Sequence, residues 1–469
     1  MPYFTITDFA AGLDLRRSEL TAPAGTLRSL VNAHITPGGE IEKRAAFVPF
    51  WECDHASRGL VSVNSKLYTF GPGGPYTTEP PGYAETPATP WTVGVFGLQT
   101  ASLYEIVDYD LFEGKVFTIA WTDAAGTIMR FYDGTNIPAA KGDYCKTYRT
   151  KMYAIAGAVL SFSAVGDAGN WTGTGSGSID LSLEDSDMVD TFGLEVYYDQ
   201  IAVFSKTACQ LWKMDPDPLK NTYQQTLRQA GTIAWRSVLQ YGSGDVMYLS
   251  HSGIRSLRAR NSSLAAAVSD IGSPLDPILQ DMIRTMGEDW MSGTIAILQP
   301  VTGRFWIIMP DRIYILSAFP GPKITAWSEY DPGFVITAAA VHENRIVVRD
   351  DQHMVYAFAG IDPEGPVFDD CFVEIVFPFH AGTDVATYKT FTALDATCAG
   401  IPFDVYGAFN VENSDAEDWF GEFDQATFLQ GKFDIKGHST HMSLRLRSQS
   451  AGPQTLSNMV VHYQVGESG

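Results

Sequence analysis

A short apolar run, a polar turn and a second apolar run recur along most of this chain, and that recurrence limits the folds open to it. Between residues 193 and 260 the plan appears twice. Ile201 to Phe204 is followed by Ser-Lys-Thr and then Cys209 to Trp212; Val246 to Leu249 is followed by Ser-His-Ser-Gly and then Ile254 to Leu257. Runs of four to six residues rich in Val, Ile, Tyr, Phe and Trp, bounded by Gly, Ser and Asp, are hairpin signals. Seven such units are found, with markers at positions 66, 115, 151, 200, 246, 304 and 345. The intervals centre in the mid-forties, the spacing of four-stranded propeller blades, without a WD or kelch signature. One amphipathic blade cannot cover its own faces, whereas a ring of them covers every face and leaves few edges. The expectation is a mostly β chain with an irregular β-propeller of six or seven blades over residues 51–367.

The remaining segments read differently. Residues 1–50 form an N-terminal docking arm, with a short helix expected over 25–31 after Pro23 and Gly25. The stretch 71–90 holds too many prolines for strand or helix and reads as a surface loop. Residues 273–290 carry Leu275, Ile278, Leu279, Met282, Ile283 and Met286 at helical spacing, with Gly287 as a stop, and predict a helix over a blade junction. From residue 368 to 469 the runs lengthen and alternate, which predicts a C-terminal β-sandwich-like domain.

Composition narrows the function. The 469 residues include 45% apolar and 12% aromatic residues, enough for a core, with 43 glycines and 25 prolines that favour turns over bundles. A formal charge of −22 disfavours groove binding or electrostatic wrapping on nucleic acid. No apolar run approaches a membrane span, and the N-terminus lacks the pattern of a secretory signal. Five widely spaced cysteines, Cys53, Cys145, Cys209, Cys371 and Cys398, read as buried free thiols of a reducing compartment.

Catalytic and metal signatures fail on spacing. There is no G-x-S-x-G, P-loop or G-x-G-x-x-G, and the serines of 173–178 belong to a loop. His342-Glu343 lacks a second histidine, and His438 and His441 fall on opposite faces of a strand. The acidic clusters at 184–187 and 415–418 read as solvated loops rather than calcium sites. Asp167, Gly169 and Trp171 approximate the aspartate box of sialidases, which is a structural turn. A propeller glycosidase would further need converging arginines, with Arg149, Arg236, Arg255, Arg258 and Arg304 available, or two facing carboxylates. No catalytic, cofactor or metal residue is assigned.

The segment FAAGLDLRRSELTAPAGTLRSLVNAHITPGGEIEKRAAF, together with YAIAGAVLSFSAVGDAGNW, IAVFSKTACQLWKMD, GSGDVMYLSHSGIRSL and the closing HMSLRLRSQSAGPQTLSNMVVHYQVG, resembles the tail nozzle, or packaged-DNA-stabilising, proteins of short-tailed bacteriophages. The resemblance implies a structural virion protein without enzymatic activity, assembled in the bacterial host cytoplasm. It implies a homohexameric ring below portal and adaptor that holds packaged DNA and releases it. Its partners would be the tail adaptor, tail fibres or spikes, and genomic DNA passing through the lumen without specific binding. Tyr76, Glu79, Tyr83 and Glu85 mark a possible channel or tip loop. A propeller glycosidase or a receptor-binding tip module are the alternatives.

Overall fold

Seven small sheets stand around one axis in the computed structural model, which describes residues 2–7, 9–23, 25–72, 91–100, 102–122, 126–262, 270–362, 365–382, 384–400, 402–423 and 431–465. Blade 1 is built from Arg58–Val63, Lys66–Pro72 and Thr92–Leu98, and blade 2 from Glu105–Phe112, Lys115–Trp121, Ile128–Tyr132 and Thr135–Asn136. Blade 3 holds Tyr144–Tyr148, Lys151–Ala156, Val159–Phe162 and Gly177–Asp180; blade 4 holds Thr191–Tyr197, Gln200–Ser205, Ala208–Lys213 and Thr222–Arg228. Blade 5 is Leu239–Tyr241, Asp245–Ser250 and Gly253–Ser256, and blade 6 begins with Ile295–Leu298, Phe305–Ile308, Ile313–Phe319 and Ile324–Tyr330. Blade 7 takes Ile336–His342, Arg345–Asp350 and Met354–Phe358, and its outermost strand is Phe47–Glu52 from the N-terminal region. The first strand of each blade lies beside the first strand of the next, and the seventh returns to the first. The chain is a seven-bladed propeller.

Every sequence marker falls in or next to the second strand of its blade. Those strands are buried almost without interruption, because alternate side chains enter two different cores. In blade 4, Ile201 and Val203 pack towards blade 3 while Ala202 and Phe204 pack towards blade 5. In blade 2, Phe117 and Ile119 face blade 3, and Val116 and Ala120 face blade 1. Turns between first and second strands use left-handed residues in pairs: Asn64 and Ser65, Glu113 and Gly114, Glu343 and Asn344. That is the type I′ geometry whose twist matches a two-residue hairpin. The unit at 60–70 is therefore the first hairpin of its blade, whereas the other six units are second hairpins. In blade 1 the third strand also runs parallel to the second, Thr92 lying beside Lys66.

The expected helix appears as Asp276–Met286 followed by Glu288–Ser292, with Gly287 at φ 86° between them. Leu279 and Met282 press on Ile254 of blade 5 and on Phe305 and Ile307 of blade 6, so the helix covers that junction. Among the described residues no helix is long and apolar enough to cross a membrane.

The expected helix over 25–31 is absent. Thr26–Leu27 and Ser29–Val31 are strands instead. Leu27 and Leu30, three apart, suit a helix face, but sheet partners are available on both sides of 29–31. Val31 pairs with Glu329 of blade 6 and with Glu374, and Leu30 pairs with Ile375. Tertiary pairing overrides local spacing here.

Residues 372–465 form two sheets around a second large core. One sheet runs Phe433–Ser439, Lys389–Gly400, Gln454–Val465, Ile41–Lys43 and Ala33–Ile35, with Tyr3–Ile6 also on Gln454–Val465. The other runs Phe372–Val376, Ser443–Gln449, Phe403–Ala408 and Glu417–Phe423, and continues through Ser29–Val31 into blade 6. Ile6, Phe9, Leu30 and Ile35 share this core with Phe391, Leu446 and Val461.

Candidate functional site

The propeller axis is where all seven blades present side chains to one space, a cavity of about 250 Å³. Leu60, Ile106, Leu194, Ile295 and Ala338 supply its apolar wall, and Asp108, Asp110, Lys146, Glu195 and Arg236 its charges. The charges bind neighbouring blades together. Asp108 accepts from the backbone N–H of Cys145 at 2.8 Å and Asp110 from that of Thr147 at 2.5 Å, both across the blade 2–3 seam. Lys146 Nζ donates to Glu195 Oε2 at 2.9 Å across the next seam. Removal from water pushes the Asp108 carboxyl up to about 7, against the pull of the Cys145 amide and Arg236. Lys146 is pushed the other way from burial, upwards, by Glu195, Asp110 and Asp108.

A short 3₁₀ turn, Trp235–Ser237, reaches from the blade 4–5 connection across the axis. Trp235 Nε1 donates to the Val107 carbonyl at 3.0 Å, and Arg236 donates to the Ile106 carbonyl of the same strand. The axis is therefore bridged by side chains and is no open pore.

The residues singled out in the sequence are dispersed. Arg149 donates to the Met214 carbonyl, Arg255 forks onto Asp276 at 2.8 and 3.0 Å, Arg304 is buried on Ser317 and the Ile35 carbonyl, and Arg258 is exposed. Of the five, only Arg236 reaches the axis. Gly169 N–H donates to Asp167 and Trp171 Nε1 to the Ala168 carbonyl, so that segment is a turn whose indole packs on Phe117. His342 accepts or donates at 2.9 Å to Ser62 across the blade 7–1 seam, and His438 stacks on Tyr388. In the acidic clusters, Asp185 holds Arg228, and Glu417 lies between Arg445 and Arg447. Among the described residues no group of three or more His, Cys, Asp or Glu is placed to hold a metal. Tyr76, Glu79, Tyr83 and Glu85 lie outside the described residues.

The axial charges carry no motif. Their only sequence signal is position: Asp108, Asp110, Lys146 and Glu195 are polar interruptions in the strand preceding a marker, where the chain faces the axis.

No family model matches the chain, and no curated protein matches it. Solved structures do resemble it. The computationally designed Ika8 protein is 10% identical, with 74% of this chain and 99% of that one covered and a TM-score of 0.39. BamB from Moraxella catarrhalis is 10% identical over 68% and 97%, with a TM-score of 0.35. The Pan2 WD40 domain of Neurospora crassa is 8% identical over 69% and 96%, with a TM-score of 0.35. The propeller itself is defined by the strand pairing described above.

Proposed function

We propose that this protein is a structural subunit of a bacteriophage tail, a nozzle protomer that assembles with copies of itself around a DNA conduit. The observation that carries this reading is the distribution of charge over two β bodies that share one continuous sheet. Residues 361–469 contain sixteen Asp and Glu against five Lys and Arg, so this segment carries about half of the net −22. Of the five cations, Lys389 is buried on backbone carbonyls and Arg445 and Arg447 are held by Glu374 and Glu417. The acids at 412, 415, 418, 422 and 434 are exposed. A wall of this sign beside DNA favours passage over adhesion, because the exposed acids outnumber the two exposed lysines of the segment, Lys432 and Lys436.

Two further features agree with a structural role. The bridged axis means that a conduit for DNA must lie between protomers rather than through one propeller. The continuous sheet from blade 6 into the sandwich lets the two bodies bear load as one. The adaptor, the tail fibres or spikes and the virion location belong to the same proposal. The test is the mass of the native assembly by light scattering, followed by class averages in negative stain, with purified adaptor added where the chain alone is monomeric. A six-fold ring with a central hole is expected. A compact trimer, or a monomer that stays monomeric on adaptor, overturns the nozzle reading.

A further inference from the structure

Residues 200–262 carry eight Lys and Arg against three Asp, the reverse of the balance over the whole chain. Three of those cations, Lys206, Arg228 and Arg260, line a cleft of about 540 Å³ together with His251. It lies at the blade 4–5 seam, where the turn after Gln200–Ser205 meets the turn after Asp245–Ser250. Asp187 is the one carboxylate on that lining among the described residues. The cleft is open: the side chains of Lys206, Arg228 and His251 are 51%, 71% and 42% exposed. Lys206 and His251 share Glu288 at 3.2 and 3.3 Å, and Arg228 holds Asp185 at 3.0 Å. Arg260 is mostly covered and its Nε has no hydrogen-bond partner, with Asp270 standing 3.8 Å away. Exposed ion pairs contribute little and exchange partners readily, so these cations remain available to an incoming carboxylate.

The complementary surface lies on the sandwich. Residues 403–423 hold six Asp and Glu and no Lys or Arg. Their last strand, Glu417–Phe423, ends its sheet and pairs only with Phe403–Ala408 among the described residues. Trp419 on this strand is 62% exposed, the only tryptophan so placed among the described residues. Its indole Nε1 donates to Asp404 at 3.1 Å, and Asp418 and Glu422 are exposed beside it. A large aromatic ring left in water and framed by carboxylates has the character of an interface anchor. A cleft walled by Lys and Arg stems receives such a ring by packing and by cation–π contact, while the charged ends meet the flanking carboxylates. The two surfaces are different patches of one chain. Joining them between copies is therefore a heterologous contact, the kind that closes into a ring.

We propose that the Trp419 strand of one copy docks in the blade 4–5 cleft of a second copy, with the indole between the Lys206 and Arg228 stems and Asp418 and Glu422 on the cations. The proposal rests on the self-assembly in the nozzle reading and names the contact that joins its protomers. The experiment is the mass of the full chain by light scattering, over a concentration series at low salt. Four samples are compared: the parent, Trp419→Ala, Arg228→Glu, and an equimolar mixture of the two variants. The parent is expected to associate, and to dissociate as salt rises. Each variant alone is expected to associate roughly ten-fold more weakly or worse. The mixture is expected to form a 1:1 dimer and nothing larger, because one intact strand then faces one intact cleft. Association unchanged in either variant, or a mixture that stays monomeric, overturns the contact. Should Trp419→Ala fail to fold, Glu422→Lys is read in its place under the same outcomes. A trimer lost in both variants supports this contact and overturns the nozzle reading, whereas a six-fold ring that survives both overturns the contact alone. A parent chain monomeric throughout overturns the contact, and the nozzle reading then turns on the adaptor.

Discussion

Asn32 Oδ1 accepts from Arg44 Nε at 2.8 Å, and this buried pair is the node at which the propeller and the sandwich are tied together. The same oxygen accepts from the Asp331 N–H after blade 6, and Asn32 Nδ2 donates to the Phe372 carbonyl of the sandwich. Arg44 then reaches Asp369 at 2.9 Å. Asn32 also adopts φ 56°, a left-handed conformation that asparagine tolerates better than most residues. Asn32→Ala leaves buried partners unmet and is expected to cost about 2–4 kcal/mol, read as a lowered urea midpoint.

The Glu195–Lys146 pair gives a second prediction. Glu195 is buried in the axis, so Glu195→Gln leaves the lysine ammonium without the anion it bonds directly, with only the more distant Asp110 and Asp108 to offset its charge. The expected loss is about 3 kcal/mol, and replacing both partners by apolar residues of similar size recovers most of it. Chemical denaturation of the three variants checks this. Equal losses in the single and double variants would falsify the pair as the cause.

Asp108 makes stability depend on pH in an unusual direction. Its folded pKa, about 7, lies above that of an unfolded aspartate near 4, so between those values the folded chain holds the extra proton. Stability from this group therefore falls as pH rises from about 4 to 7, by at most about 1.4 kcal/mol per pH unit. Asp108→Asn removes that slope. Comparing the two proteins' unfolding free energies across pH 4 to 8 isolates it from the other carboxylates.

His34 and His380 act oppositely. Burial lowers both to about 4, and His34 also bonds the Tyr330 hydroxyl at 2.7 Å. Each contributes stability that is present above pH 6.5 and lost as pH falls towards 4. His380→Gln is expected to be less sensitive to acid over that window than the parent chain, measured by melting temperature at pH 7 and pH 5.

All five cysteines are free, and burial raises the thiols of Cys53 and Cys371 to about 12 and those of Cys145 and Cys209 well upwards. At pH 8 the folded chain is expected to react slowly with a thiol reagent, Cys371 and Cys398 first, and to reveal five thiols on unfolding. Rapid native labelling of Cys209 would contradict its placement between blades 4 and 5.

Much of the fold was legible because a propeller blade announces itself locally. The second strand of each blade is apolar on both faces, since one face meets each neighbour, and the seven markers found those strands. The first strands were harder to read. They border the axis on one edge and carry Asp108, Asp110, Lys146 and Glu195, which break the apolar pattern. The helix at 276–286 was legible from its spacing and glycine stop, whereas 25–31 was not, because two leucines three apart fit a helix and a strand pair alike. The shared cavity beside the axis was also hidden: Arg58, Arg236 and Arg349 are separated by up to 291 positions in sequence and line one space only through ring closure.

By itself the sequence determined the strand-forming runs, their recurrence in the mid-forties, the helix over a blade junction and the acidic character of the last hundred residues. These are properties of neighbouring residues, set by side-chain alternation, turn chemistry and charge count. Tertiary structure decided that Phe47–Glu52 completes blade 7, that strands from residues 3–43 share a core with residues 372–465, and which charges meet on the axis. Those outcomes depend on backbone hydrogen bonds between segments hundreds of residues apart, whose partners are selected by the closure of the whole ring and not by any local pattern.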